Sequence, residues 1–362
     1  MEIIGLILMG ILITLSNAGG LSGAGSNIPI MLIFFNMEMS EAVPISAFVA
    51  VCATLLRFLL NFNQKHPKNP NRLSINYEVV ILVMPAVFLG SLIGVKLGIL
   101  IGQTAQVVIF GITVAWSIQT TAKKAAQMIK QERQSESLKE NLINDSEQTA
   151  EKNPLLENEK EVSEAAKTPE LDWITTQEAS HFPCNRLLYT VLSFLSLYIA
   201  QALTGPSMTG KLSDTTVYAI YSVFALVCFG LTLYAIKLVS WIQDIKVRDG
   251  YEFDANDTRF DSSKDVVLLA FFCAIAAVLC GMTGIAGGMV LGPLFLRYNM
   301  LPQVMAGTNQ YITLVASFSV MLQFAYAGTL NIHYSIMFGV LTVISAFCGI
   351  HLVNIYVAKS GK

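Results

Sequence analysis

The sequence predicts an all-α fold: a polytopic integral membrane protein built from two inverted-topology repeats, each with a helical hairpin broken by glycine and proline. Three observations lead there. The chain is 54% hydrophobic and only 13% charged, with a mean hydropathy of +0.57, outside the range of soluble domains. Stretches 42–63, 77–102, 104–122, 187–204, 215–239, 303–327 and 331–357 each approach or exceed the roughly 20 apolar residues that cross a hydrocarbon layer of about 30 Å. One motif occurs twice, as Leu15-Ser-Asn-Ala-Gly-Gly-Leu-Ser-Gly-Ala-Gly-Ser-Asn-Ile-Pro29 and as Leu279-Cys-Gly-Met-Thr-Gly-Ile-Ala-Gly-Gly-Met-Val-Leu-Gly-Pro293. At a constant offset of 264, Gly20 falls on Gly284, Gly23 on Gly287, Pro29 on Pro293 and Ala42 on Ala306.

The first broken unit, 2–36, has two short apolar arms around its glycines. A signal peptide is the alternative for residues 1–18, but Glu2 stands where a basic leader belongs and the glycine motif follows at once. Spans 42–63, 77–102 and 104–122 follow, completing a first repeat over 1–122. Residues 123–185 form an acidic insert, rich in Glu, Lys, Ser and Asn and poor in aromatics. It lacks the apolar surface to offset chain entropy, so most of it is expected to be disordered, with Lys123 to about Leu142 continuing the preceding helix into water. Two linking spans and a cytosolic loop occupy 186–264. The second repeat, 265–362, holds the second broken unit (265–298) and the spans 303–327 and 331–357.

Charge and parity agree on orientation. Loop 64–76 carries Lys65, Lys68 and Arg72; Lys123, Lys124, Lys130 and Arg133 follow the third span; Lys237, Lys246 and Arg248 surround the end of 215–239; Lys359 and Lys362 close the chain. Counting crossings puts all four groups on one side, the cytoplasmic side by the positive-inside rule. Five crossings separate the two broken units, so the second enters from the face opposite the first. The sequons at Asn144 and Asn256 then lie in the cytoplasm and are expected to stay unmodified. Glu151-Lys-Asn-Pro-Leu-Leu156 resembles an acidic-dileucine sorting signal, with chance occurrence in a Glu- and Leu-bearing tract as the alternative. The six cysteines have no metal-ligand spacing, and no disulfide framework is assigned.

These blocks, with Leu294-Phe-Leu296, Pro302-Gln303, Ala306-Gly-Thr308, Gly349-Ile-His-Leu-Val353, Asn76-Tyr77, Gly90 and Gly94, resemble the TauE/SafE sulfite-exporter (TSUP) family, in particular its eukaryotic, plant-like branch. The resemblance implies a membrane transporter for sulfite, sulfonates or other sulfur-containing or organic anions. The family's near-continuous glycine run is thinned here to Gly23-Ala-Gly-Ser26 and Gly284-Ile-Ala-Gly-Gly288. Relatives commonly continue past the equivalent of 331–357 with another helix. The resemblance therefore implies an exposed side on the second repeat, or a partner subunit or second copy that covers it.

A helix restarted in mid-membrane presents unpaired N–H groups and a positive dipole end, which suit an anion. Corresponding Gly- and Pro-interrupted segments in two halves are the sequence pointer to such a site. The substrate-binding candidates are Gly20, Gly23, Gly25, Ser26, Asn27, Gly284, Gly287 and Gly288, with Thr308 and Asn309 beside them as ligands or interhelical glue. The competing reading is small-residue helix packing. Basic residues within the spans are Arg57, Lys96 and Arg297. Arg57 either faces a cavity or snorkels to the cytoplasmic edge. Aligning Gly94 with Gly349 pairs Lys96 with His351, and both are candidates to line the pathway. There His351 would suit proton coupling, although a hydrogen-bonded interior histidine is the commoner outcome.

Two functions follow. The first is a secondary transporter moving a small anion by alternating access. The second is a non-transporting membrane subunit or trafficking scaffold that kept the fold. No hydrolytic, redox, metal, cofactor or nucleic-acid site is assembled, so enzyme activity is not expected. The resident membrane is left open among endosomal, vacuolar and plasma membranes.

Overall fold

The computed structural model describes residues 1–18, 24–66, 72–149, 168–180, 183–205, 213–251, 263–298 and 300–360. Among them are twelve helices and no strand beyond an isolated bridge between Lys65 and Leu73. The first unit supplies α1 (Glu2–Ala18) and α2 (Ala24–Phe34), followed by α3 (Met39–Asn61), α4 (Tyr77–Leu100) and α5 (Gln103–Thr149). Then come α6 (Pro169–Ala179), α7 (Cys184–Thr204) and α8 (Asp214–Arg248). The second unit is α9 (Ser263–Thr283) and α10 (Gly287–Arg297), followed by α11 (Pro302–Tyr326) and α12 (Ile332–Ser360). Seven of these helices, including α9, are long and apolar enough to cross a membrane. Helix α11 has the length but not the apolarity, because Thr308, Asn309, Gln310, Thr313, Ser317 and Gln323 are turned into the protein interior. Helices α2 and α10 have 11 residues each, about 16 Å of rise. That is half a bilayer core, so each restarts near mid-depth.

The halves pack as a two-fold. Helix α1 lies on α12 as α9 lies on α4, α3 lies on α12 as α11 lies on α4, and α3 meets α11 between them. The correspondence reaches single contacts. A Cβ on Gly94 would stand 2.3 Å from the Val278 carbonyl oxygen, and one on Gly349 would stand 2.4 Å from that of Thr14. Thr14 and Val278 are 264 apart, and the two glycines 255. Helix α4 is buried nearly all round, against α7, α8, α9 and α11. Such an apolar helix belongs at the centre of a membrane bundle.

Contacts also sort the helix ends. Ser74 Oγ donates to the Gln303 carbonyl (3.0 Å), and the Asn76 N–H donates to Thr308 Oγ1 (2.8 Å). The starts of α4 and α11 therefore lie at one end, together with the end of α3. At the other end, the Tyr198 and Tyr326 rings meet at 5.9 Å, and Thr204 Oγ1 lies 2.8 Å from Tyr221 Oη. The α1–α2 hairpin joins α3 at the second end and the α9–α10 hairpin joins α11 at the first. They enter from opposite ends, as an inverted repeat requires.

Two expectations change here. Helix α5 continues the span through 123–142 as expected but runs on to Thr149, and 169–179 is helical where disorder is expected, while 150–167, including the dileucine-like segment, lie outside the described residues. Helix α5 runs unbroken from the span into the insert, and α6 is docked. Thr168 caps α6, accepting from the Leu171 N–H, with Pro169 in its first turn. Glu178 pairs with Lys246 (2.6 Å) and Arg72 (3.0 Å), and its carbonyl accepts from the Leu73 N–H (3.4 Å). Lys246 also pairs with Glu78 at 2.7 Å, and Arg186 approaches the same carboxylate at 3.9 Å. Glu78 and Lys246 are 3% and 2% exposed. The interior therefore contains a carboxylate, in a buried charge cluster joining loop 72–76 to α4, α6, α7 and α8.

Candidate functional site

The second break is built by one backbone conformation and one cross-repeat bond. Gly284 sits at φ 69°, the left-handed region that favours glycine. Its N–H closes α9 on the Cys280 carbonyl (2.9 Å), and its own carbonyl accepts from Ser46 Oγ of α3 at 3.0 Å. Helix α10 then restarts at Gly287 after Ala286, which offers no side-chain acceptor to the first N–H groups. Asn309 Nδ2 donates to the Gly288 carbonyl at 3.1 Å. Residues 284–287, Cys280, Ser91 and Ser317 line a central cavity of about 30 Å³, room for water-sized contents. On the other side of α10, Gly288, Met289, Asn309 and Ser117 line a cavity of about 410 Å³ between α5, α10 and α11.

The first break lies between Ala18 and Ala24, so Gly20 and Gly23, with Ser22, fall outside the described residues. Beyond it, the two units touch. A Cβ on Gly25 would stand 2.4 Å from Met289 Sδ, and one on Gly284 would stand 3.2 Å from Ile28 Cδ1. Ser26 is half-buried beside them. Asn27 is fully buried, and neither its amide nitrogen nor its oxygen has a hydrogen-bond partner among the described residues. No carboxylate side chain lines either cavity at the second break.

Gly25, Ser26, Asn27, Gly284, Gly287, Gly288 and Asn309 are thus brought to the meeting of the breaks. Thr308 is at 0% exposure but accepts from the Asn76 N–H, which makes it a tie between repeats rather than a group facing the breaks. Lys96 and His351 are corrections. Both are exposed on the outer surface, with Lys96 Nζ 5.3 Å from the Tyr221 ring centroid and the His351 ring stacked on Phe347 at 6.3 Å. Each follows by two residues a glycine pressed on a neighbouring helix. Two residues are about 200° of helical turn, so both point away from that contact. Arg57 is 5% exposed near the end of α3 and lines neither cavity. The Arg297 side chain lies outside the described residues.

Sequence reasoning missed Ser117. Pro293 has no N–H, so within α10 the Met289 carbonyl loses its donor four residues on. Ser117 Oγ of α5 donates to that carbonyl at 2.7 Å. The proline signals the need for a donor but not its source.

Two opposed hairpins that restart as half-length helices and touch at Gly25 and Gly284 define a polytopic membrane protein with an inverted repeat. The chain resembles the sulfite exporter TauE/SafE family, whose model matches residues 182–359. Three proteins of Arabidopsis thaliana are similar along almost the whole chain. Sulfite exporter TauE/SafE family protein 1 is 23% identical, covering 96% of this chain and 76% of its own length. Family protein 2 is 24% identical (96% and 75%) and family protein 5 is 25% identical (96% and 75%), which fits the plant-like branch. No solved structure matches the chain.

Proposed function

We propose that this protein is a secondary transporter that moves a small anion, sulfite, a sulfonate or a related sulfur or organic oxyanion, by alternating access between its two repeats. The observation that carries the reading is Asn27. A buried amide without a partner costs about 1–3 kcal/mol per group, and this one sits in the first turns of a half-length helix, between Gly25 and Ile28, which touch the opposing unit. Capless N–H groups at Gly287 and Gly288 face the same region of the fold. Each helix start carries roughly half a positive charge, and anions bind at such ends without a side-chain cation. With Lys96 and His351 outside, attraction comes from backbone and amide donors, which favours small, hard oxyanions over bulky ones. Proton coupling through His351 gains no support from its position. The sulfite exporter names of the relatives support the same substrate class.

Purified full-length protein in liposomes is expected to release preloaded sulfite or a short alkanesulfonate faster than protein-free vesicles. Absence of flux with sulfite, sulfate and alkanesulfonates alike overturns the reading. An imposed pH gradient across the same vesicles reports whether protons are coupled. One observation favours the second reading, a membrane subunit. A wide groove of about 440 Å³ runs between α1 and α12, whereas α8 packs against both members of the corresponding α4–α9 pair. A stoichiometric partner seated on that groove, together with absent flux, would establish it.

A further inference from the structure

We infer that Met289 is the gate between the starts of α2 and α10, pinned by Ser117, with Gly25 as its seat. This rests on the transport reading. Residues 25 and 289 are equivalent in the repeat, at the same offset of 264. They are also in contact, since a Cβ on Gly25 would stand 2.4 Å from Met289 Sδ and 2.8 Å from Cε. Equivalent residues that touch lie on the axis relating the halves. An axis has room for one long side chain, and here one half supplies a methionine and the other bare backbone.

Met289 also lines the 410 Å³ cavity on the second break. With one end of the residue on that cavity and the other on Gly25, its side chain stands between the cavity and the start of α2. An unbranched thioether with three rotatable bonds can swing aside at low cost, and a neighbouring glycine leaves it a path. Its main chain is held independently, through Ser117 and the carbonyl that Pro293 leaves without a donor. Ser117 is 3% exposed on α5. That helix belongs to neither hairpin and continues to Thr149, so a displacement of the cytosolic part of α5 would reach the gate through one hydrogen bond.

The test exchanges the gate across the axis. In proteoliposomes, Gly25→Met fills the axis from both sides and is expected to abolish anion flux. Gly25→Met combined with Met289→Gly moves the gate to the other half and should restore flux to within a few-fold of wild type. Met289→Ala should improve transport of a longer alkanesulfonate relative to sulfite by about tenfold, the scale of a few-methylene change in a pocket. Ser117→Ala should slow turnover at unchanged KM, with rescue by Ser117→Thr. An inactive exchange variant that is monodisperse and as heat-stable as wild type overturns the gate while leaving the transport reading in place. A wild type without flux overturns the transport reading instead. A measurement independent of flux covers that case. A cysteine from Gly25→Cys should react with a methanethiosulfonate reagent in the Met289→Ala background and be protected when Met289 is present, as read by mass spectrometry at residue 25. Equal labelling in both backgrounds overturns the gate.

Discussion

Asn27 sets a choice between fold and function that one substitution can decide. If its amide serves the fold, losing it should destabilise the protein; if it serves a ligand, the empty protein should tolerate its loss. Asn27→Leu keeps the volume and removes two buried polar groups that have no partner among the described residues. Stability in detergent, read from the thermal unfolding midpoint, is therefore expected to hold or rise, while anion flux falls to background. A loss of about 2 kcal/mol or more, the cost of breaking a buried polar contact, would show that the amide supports the first break instead. Thr308 is the internal contrast. Its hydroxyl has a main-chain partner on the other repeat, so Thr308→Val should lower stability by about 1–3 kcal/mol by stranding the Asn76 N–H.

Between helices, two seams carry the pseudo-symmetry, and they should respond alike. Gly94→Ala and Gly349→Ala each place a methyl group within 2.4 Å of a backbone oxygen on the neighbouring helix. Backbone cannot step aside as a side chain can, so each should cost about 1–3 kcal/mol by overpacking. Gly111→Ala and Gly230→Ala meet nothing within 4 Å and should instead stabilise by up to about 1 kcal/mol through helix propensity. Thermal midpoints of the four variants check the ordering. Helix α6 gives a second test. Removing one member of a buried ion cluster costs about 3–5 kcal/mol, so Glu178→Ala should erase hydrogen-exchange protection over 169–179. Arg248→Ala breaks an exposed pair with Glu170 and should change stability by less than about 1 kcal/mol. The contrast between these features explains what could be read in advance. The broken hairpins and spans were legible because glycine, proline and apolar runs act locally and repeat at a fixed offset. Helix α6 was not, because its two buried apolar residues, Leu171 and Ile174, are too few to form a pattern, and what docks it, Ile242, Ile245, Arg72 and Lys246, lies far away in sequence. Lys96 and His351 were misplaced because an alignment conserves position along a helix and leaves angle out. The meeting of Gly25 with Met289 needed both coordinates.

Across the whole molecule, orientation in the bilayer follows from two kinds of observation that do not share a cause. The positive-inside rule acts as the chain inserts, before packing, so it counts Arg72 and Lys246 even though both later enter the buried cluster. The folded contacts act afterwards, and they gather loop 72–76, the end of α8 and the starts of α7 and α11 at one end. These are the ends that the basic loops assign to the cytoplasm. Cysteines introduced by Lys65→Cys and Asp244→Cys, both at exposed positions of that end, should resist a membrane-impermeant maleimide in sealed, right-side-out vesicles and react once the membrane is permeabilised. Ser40→Cys and Ala327→Cys, exposed at the opposite end, should react without permeabilisation. The sequons at Asn144 and Asn256 should stay unglycosylated in a eukaryotic host, as the orientation assigned by the basic loops predicts. Labelling of positions 40 and 327 from opposite sides would break the inverted relation, because α3 and α11 would then no longer cross in opposite directions. Labelling of all four positions from the same side would do the same, and either outcome would remove the shared axis on which Met289 and Gly25 are placed.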